Sequence, residues 1–165
     1  MDILKLSTDW AKAEVFSAKI VLLLGLLFFL AALGFWQLGK TNMAKAFVWP
    51  MLVAGVLIIS TSAGLYFANK PRISQFEIDY RADVATFLQK ETARTAKSQQ
   101  ELALVFKVLP LLIIAASLLI IFLNTPTWRA IGITVIALMM TLLFVDSNTN
   151  ARNEAYHQYL LAEKQ

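Results

Sequence analysis

Four long stretches of this chain contain no Asp, Glu, Lys or Arg. They are residues 20–39, 46–69, 108–128 and 130–145. A hydrocarbon core about 30 Å thick needs roughly 20 apolar residues in a helix, and the first three stretches reach or nearly reach that length. The fourth is short, so Arg129 or Asp146 at its ends has to reach into the edge of the hydrocarbon. We therefore predict an all-α, polytopic membrane protein with four transmembrane helices, at residues 20–39, 46–69, 108–128 and 130–146.

Short polar connections are predicted to join these spans as two hairpins. The first connection consists of Gly39, Lys40, Thr41 and Asn42. The second consists of Asn124, Thr125, Pro126 and Thr127. In the second, a capping hydroxyl stands just before a proline at a first helical position, which is typical of a helix start. Neither connection is long enough to hold a site of its own.

The segment between the second and third spans is predicted to be an amphipathic helical segment over residues 72–103. Its apolar side chains recur at spacings of three and four, as one helical face requires. They are Ile73, Phe76, Tyr80, Val84 and Phe87. We expect this segment to lie in the cytoplasm or at the membrane interface.

The two ends of the chain are also predicted to be helical. In residues 1–18, one apolar face contains Ile3, Leu6, Trp10 and Ala13, so this arm is expected to rest on the inner leaflet before the chain turns into the first span. The apolar run continues through Leu38, which is too long for a simple signal sequence and favours a retained anchor. Residues 147–165 are predicted to form a cytoplasmic helical tail.

Composition fits one membrane domain over residues 1–165. Hydrophobic residues make up 58% of the chain, and its mean hydropathy is +0.62. Both values lie well above those of a soluble domain. The sequence contains no cysteine, which excludes disulfides and thiolate metal sites.

Basic residues predict the orientation, because Lys and Arg in short loops stay on the cytoplasmic side. Lys40, Lys45 and Arg129 would lie outside, and the other 12 of the 15 basic residues would lie inside. Trp36, Trp49 and Trp128 would then lie at the outer interface, which suits amphipathic rings. We predict a multi-pass protein of the cell inner membrane with both termini in the cytoplasm.

The end of the fourth span carries the most distinctive polar pattern. If its helix continues into the tail, four polar side chains stack on one face at intervals of four, three and four. They are Asp146, Asn150, Asn153 and His157, here called the polar seam. One hypothesis is that the seam lines the inner mouth of a pore, with Asp146 as its charged element. The alternative is a polar helix end whose groups are satisfied by neighbouring helices.

Small and hydroxyl residues inside the spans have two interpretations. Thr134 and Thr141 share a narrow face of the fourth span and either pack against other helices or face a pore. Ser60 and Gly64 form a pair of small residues on the second span. Small residues allow close approach of helices in membranes, so packing is the simpler explanation.

A basic stripe on the central segment is a candidate for contact with anionic lipid headgroups. It contains Lys90, Arg94 and Lys97. The alternative is a solvated charged face of an interfacial helix. Neighbouring carboxylates offset much of the positive charge, so nucleic acid is not expected as a partner.

Known catalytic patterns are missing from the sequence. No ionisable residue lies near the centre of any span, as coupled transport would require, and there is no phosphate-binding glycine loop or serine elbow. No enzymatic activity and no cofactor are expected. The leading hypothesis is a homo-oligomeric pore or channel-like assembly. The alternative is a structural or accessory subunit that docks a partner at its cytoplasmic face.

Overall fold

The computed structural model describes residues 3–163, and within that range the chain forms helices and no strands. The helices are α1 (Ile3–Leu38), α2 (Asn42–Ala46), α3 (Val48–Asn69), α4 (Arg72–Ala82), α5 (Val84–Phe122) and α6 (Pro126–Glu163). The prediction of an all-α chain is confirmed.

Four helical segments of the described chain are long and apolar enough to cross a membrane, as the sequence predicted. Helix α3 has 22 residues, a length of about 33 Å at 1.5 Å per residue. Helices α1, α5 and α6 have 36, 39 and 38 residues. Each of these three therefore extends well beyond the apolar stretch that it contains.

The central segment is divided in a way that the sequence analysis did not predict. Asp83 has extended backbone angles, and its carboxylate accepts hydrogen bonds from the backbone N–H groups of Ala85 at 2.9 Å and Thr86 at 3.3 Å. It is therefore the N-cap of α5. Helix α5 then continues through Pro110 to the end of the third apolar stretch. Residues 72–103 form one short helix and the first half of a long one.

The amino-terminal arm does not turn before the first span. Helix α1 is continuous from Ile3 to Leu38, and no glycine or proline precedes Gly25. Ile3 and Trp10 are buried in a cluster with α4, α5 and α6. Burial among other helices holds the arm in line with the first span, so the expected turn between the arm and the span is not formed. Contact of the arm with the inner leaflet stays a prediction.

Close contacts between helices depend on glycines other than the one predicted. A Cβ atom on Gly55 of α3 would lie 3.0 Å from the backbone nitrogen of Phe29 and 3.1 Å from the carbonyl oxygen of Gly25, both on α1. On α6, a Cβ atom on Gly132 would lie 2.9 Å from the carbonyl oxygen of Ala116 on α5. Backbones approach this closely only where a side chain is absent.

Ser60 and Gly64 do not form the close contact that the sequence suggested. Both residues are exposed, and a Cβ atom on Gly64 would meet nothing within 4 Å. Helix α1 packs most extensively on α3, and α5 packs most extensively on α6. Contacts between these two pairs are sparser.

The molecule has two different ends. The polar end contains the first half of α1, all of α4, the first half of α5 and the last third of α6, around a core that includes Trp10, Phe76, Phe87 and Tyr156. The turn end contains α2 and the start of α6. Thr41 caps α2 through the backbone N–H of Ala44 at 3.1 Å. Thr125 accepts from the backbone N–H of Trp128 at 3.4 Å, beside Pro126 at the first position of α6, as predicted.

Candidate functional site

A network of polar side chains lies inside the polar end and connects four helices. Helix α1 contributes Ser7, Trp10 and Glu14; α4 contributes Arg72; α5 contributes Glu91, Arg94 and Thr95; and α6 contributes Arg152, Asn153, Tyr156 and His157. We call these residues the polar-end network. On α1, α5 and α6 the network residues lie within two helical turns of one another on one face, so their polar groups point toward a common interior.

The centre of the network is the carboxylate of Glu91, which is only 7% exposed. Arg94, one turn later on α5, donates from Nε to both carboxylate oxygens at 3.0 Å and from Nη2 to Oε2 at 2.7 Å. Such a two-pronged guanidinium contact is stronger than a single hydrogen bond. The buried charge of Glu91 is thus compensated within its own helix.

The hydroxyl of Tyr156 joins α6 to both α1 and α5. It lies 2.7 Å from Ser7 Oγ and 3.2 Å from Glu91 Oε2. Ser7 donates its own proton to the carbonyl oxygen of Ile3 at 2.9 Å, so its oxygen is free to accept from Tyr156. Burial raises the pKa of Tyr156 above its ordinary value of 10.0, and the charge of Glu91 raises it further. Tyr156 therefore remains a neutral hydrogen-bond donor at physiological pH.

Aromatic rings cover one face of the network. The rings of Trp10 and Tyr156 stack with centroids 5.3 Å apart. The guanidinium of Arg94 lies 4.1 Å from the centroid of the Trp10 ring, and that of Arg72 lies 5.9 Å away. Cations favour the negative face of an indole ring, more so where water is excluded.

A second ion pair crosses from α1 to α6. Arg152 donates from Nε to Glu14 Oε1 at 3.0 Å, its Nη2 lies 3.0 Å from the same oxygen, and Glu14 is 4% exposed. The two residues are 138 positions apart in sequence. This contact ties the amino-terminal arm to the carboxy-terminal tail.

The charges of the network do not balance. Among its described members, Glu14 and Glu91 face three guanidiniums, those of Arg72, Arg94 and Arg152. Burial lowers the pKa of Arg72, the charge of Arg94 lowers it further, and the two carboxylates act in the opposite direction. Arg72 donates to the amide oxygen of Asn69 at 2.9 Å, which is a neutral partner.

The structure separates the polar seam into two parts. Asn153 is buried and donates to the carbonyl oxygen of Thr95 at 3.1 Å, and Nδ1 of His157 lies 2.6 Å from Thr95 Oγ1. Both residues therefore face α5. Asp146 and Asn150 are half-buried, and neither side chain forms a hydrogen bond or ion pair with any described residue. Helix α6 does continue through all four positions.

The other predicted site residues differ from one another in burial and in hydrogen bonding. Thr134 is buried, with no hydrogen-bond partner for its Oγ1 among the described residues. Thr141 donates to the carbonyl oxygen of Ala137 at 2.8 Å. In the basic stripe, Lys90 and Lys97 are exposed, whereas Arg94 is directed into the network. Contact of this stripe with anionic lipid stays a prediction, and Lys90 and Lys97 are the members available for it.

Most of the polar-end network was not predicted from the sequence. One signal was present in α1, where Ile3, Ser7, Trp10 and Glu14 recur at spacings of four, three and four. A carboxylate in register with an apolar face predicts a buried charge that needs a partner. The partner itself, Arg152, could not be read from local spacing.

The network is suited to holding helices together rather than to reacting with a substrate. Its carboxylates are paired with guanidiniums, and its hydroxyls bond to carbonyl groups or to one another. Across the described residues, no group of three or more His, Cys, Asp or Glu side chains could hold a metal ion. No family model, curated protein or solved structure matches this chain.

Proposed function

We propose that this chain is a non-enzymatic membrane protein that serves as a structural or accessory subunit and presents its polar end to a protein partner. The observation that carries the proposal is the packing of Asn153 and His157 against Thr95 inside the chain. In a pore mouth built from α6, those side chains would have to face water. Their contacts with α5 instead favour a closed helical module.

Surface composition at the polar end supports a docking role. Ile78 is 61% exposed on α4, between the exposed Glu77 and the half-buried Asp79. Tyr159 on α6 is also exposed. Amphipathic and apolar side chains on an otherwise charged surface are typical anchors of protein interfaces. The buried network beneath them keeps the helices that carry them in fixed positions.

The proposed location is the inner membrane of the cell, with the polar end in the cytoplasm. Twelve basic residues lie in the predicted inner segments against three outside, and this asymmetry is the usual determinant of orientation.

Cysteine labelling tests this orientation. The chain has no cysteine, so an introduced cysteine is the only thiol of the chain that a reagent can label. In intact cells, a membrane-impermeant thiol reagent should label Asn42→Cys and leave Gln158→Cys unlabelled until lysis. The reverse pattern would invert the orientation.

The functional proposal is tested by isolating the chain from native membranes in mild detergent and weighing the complex by native mass spectrometry. We expect a defined stoichiometry with a second polypeptide, lost on Ile78→Glu and retained in the control Lys97→Gln. The purified chain should be electrically silent in planar bilayers. A closed ring of identical chains that conducts ions would contradict the proposal.

A homo-oligomeric pore is a second candidate function, and the carboxylate of Asp146 favours it. This side chain stands at the end of the fourth span, half-buried, with no partner among the described residues. Unpaired carboxylates at membrane depth are costly and commonly face an ion pathway or another subunit. If the chain conducts, Asp146→Asn should change ion selectivity, whereas Ser147→Ala should not. If the ion selectivity of both variants matches that of the native chain, Asp146 does not have that role.

A further inference from the structure

A groove separates α3 from α6 near the turn end, where contacts between the two helix pairs are sparse. The space measures about 480 Å³, a size typical of small-molecule sites. Its walls are almost entirely apolar. The lining includes Lys45, Trp49, Val53 and Thr134. The groove lies within the apolar stretches of both helices, so in a membrane it opens to lipid.

One unpaired cation stands at the rim of the groove. Lys45 is exposed on α2 and forms no ion pair with any described residue. The sequence has no Asp or Glu at residues 15–76 or 102–145, so neither the turn end nor the membrane-spanning stretches can supply a carboxylate. Trp49 lies one turn from Lys45, and an indole ring at this depth favours the headgroup region.

The wall of the groove also contains an unsatisfied hydroxyl. Thr134 is 2% exposed, and its Oγ1 has no hydrogen-bond partner among the described residues. A threonine in a membrane helix usually donates to the carbonyl four residues earlier, as Thr141 does to Ala137.

We propose that this groove binds an anionic glycerophospholipid of the surrounding bilayer, with one acyl chain between α3 and α6 and the headgroup phosphate on Lys45. A second depression, lined by Trp36, Val48 and Leu52, meets the groove at Lys45 and Trp49. The second acyl chain fits there. One lipid then straddles the start of α3 and fills the gap between the two helix pairs.

A second copy of this chain fits the groove less well than a lipid does. Its membrane-spanning stretches and its turn end carry no carboxylate, so they offer nothing negative to Lys45. A phospholipid provides both a phosphate for Lys45 and an apolar chain for the walls of the groove. The unpaired charge at the rim therefore favours lipid over self-association.

The test uses the full chain reconstituted in bilayers of equal parts dioleoyl phosphatidylglycerol and dioleoyl phosphatidylcholine, then released into detergent for native mass spectrometry. We expect one phosphatidylglycerol to be retained in preference to phosphatidylcholine. Lys45→Gln should reduce the retained fraction at least fivefold, while Lys40→Gln, at another exposed cation of the turn end, should leave it unchanged. Equal retention of both lipids, or equal loss in both variants, would overturn the proposal.

A pair of valine substitutions tests the groove itself. Val53 and Val56 both lie on α3, 52% and 47% exposed, but only Val53 lines the groove. Val53→Trp should displace the lipid, and Val56→Trp should keep it. Lipid retained in folded Val53→Trp protein would overturn the assignment. So would a dimer of the native chain that Val53→Trp abolishes, because that result would make a second copy the occupant.

Discussion

Single residues determine the electrostatics of the polar end, and the two buried carboxylates matter most. Glu14 and Glu91 are each compensated by one arginine through close contacts of 2.7 to 3.0 Å. Removing one partner of a buried ion pair leaves the other charge desolvated, which costs more than the pair contributes. The network is therefore sensitive to single substitutions that would be harmless on the surface.

Glu14→Gln should destabilise the chain by about 2 kcal/mol, because the half-buried guanidinium of Arg152 loses its counter-charge. The measurement is the free energy of unfolding in detergent, followed by circular dichroism. Glu77→Gln is the matched control. It breaks an ion pair on the surface, in which the side chain of Glu77 is 54% exposed and that of Arg81 is 75% exposed. The substitution should lower stability by about 0.5 kcal/mol or less.

Exchanging the charges of Glu14 and Arg152 separates the electrostatic contribution of the pair from its packing. If the charge contact is what matters, combining Glu14→Arg with Arg152→Glu should recover part of the lost stability. Equal stability of Glu14→Gln and Glu77→Gln would contradict the assigned role of the pair.

Helix boundaries depend on a few local contacts, and the break between α4 and α5 is the clearest case. Asp83 caps α5 through the backbone N–H of Ala85 and accepts from Thr86 Oγ1 at 2.5 Å. These hydrogen bonds, chiefly those of Thr86, hold the pKa of Asp83 below its ordinary value of 3.8. The cap is thus strongest when the carboxylate is charged.

Asp83→Ala should lower stability at neutral pH and have little effect in acid. Because the folded state has the lowered pKa, the contribution of Asp83 is complete above about pH 3.8 and declines as the pH falls through the folded value. Thermal unfolding at pH 7 and pH 2.5 measures this. Asp79→Ala on α4 provides a carboxylate control without a capping role. A stability loss from Asp83→Ala that is unchanged at pH 2.5 would contradict the account.

The contact between α1 and α3 provides a second test at the level of elements. Gly55→Ala places a methyl group 3.0 Å from the Phe29 backbone and should destabilise the fold by about 1–3 kcal/mol. Gly64→Ala on the same helix meets open space and should change stability by about 0.5 kcal/mol or less. Unfolding in detergent compares the two. Equal effects would mean that Gly55 is not at a close helix contact.

Helices were easier to predict from this sequence than contacts between them. The structure contains four long apolar helices, as the four charge-free stretches predicted. Helix α6 also starts at Thr125 and Pro126 as predicted. Both features depend on local composition. The Asp83 cap was missed because the apolar spacing continues across it from Tyr80 to Val84 and Phe87. The pair of Glu14 and Arg152 joins distant segments, and no local periodicity encodes such a partner.

The whole molecule consists of two helix pairs that are held together at the polar end and separated by a groove at the turn end. At the polar end, α6 turns Asn153 and His157 toward α5, where Thr95 is fully buried. A pore mouth would instead expose this face to water. The accessory hypothesis and a pore mouth lined by Asn153 and His157 thus differ in the solvent exposure of this small region.

The most direct measurement is the reactivity of single cysteines on α5 toward a water-soluble thiol reagent in the folded, reconstituted chain. Ala93 is exposed, and Thr95, two residues later, faces Asn153 and His157. We expect rapid labelling of Ala93→Cys and no labelling of Thr95→Cys until the protein is denatured. Rapid labelling of both cysteines in folded protein would mean that water reaches this face of α5, and it would contradict the packing of Thr95 against Asn153 and His157.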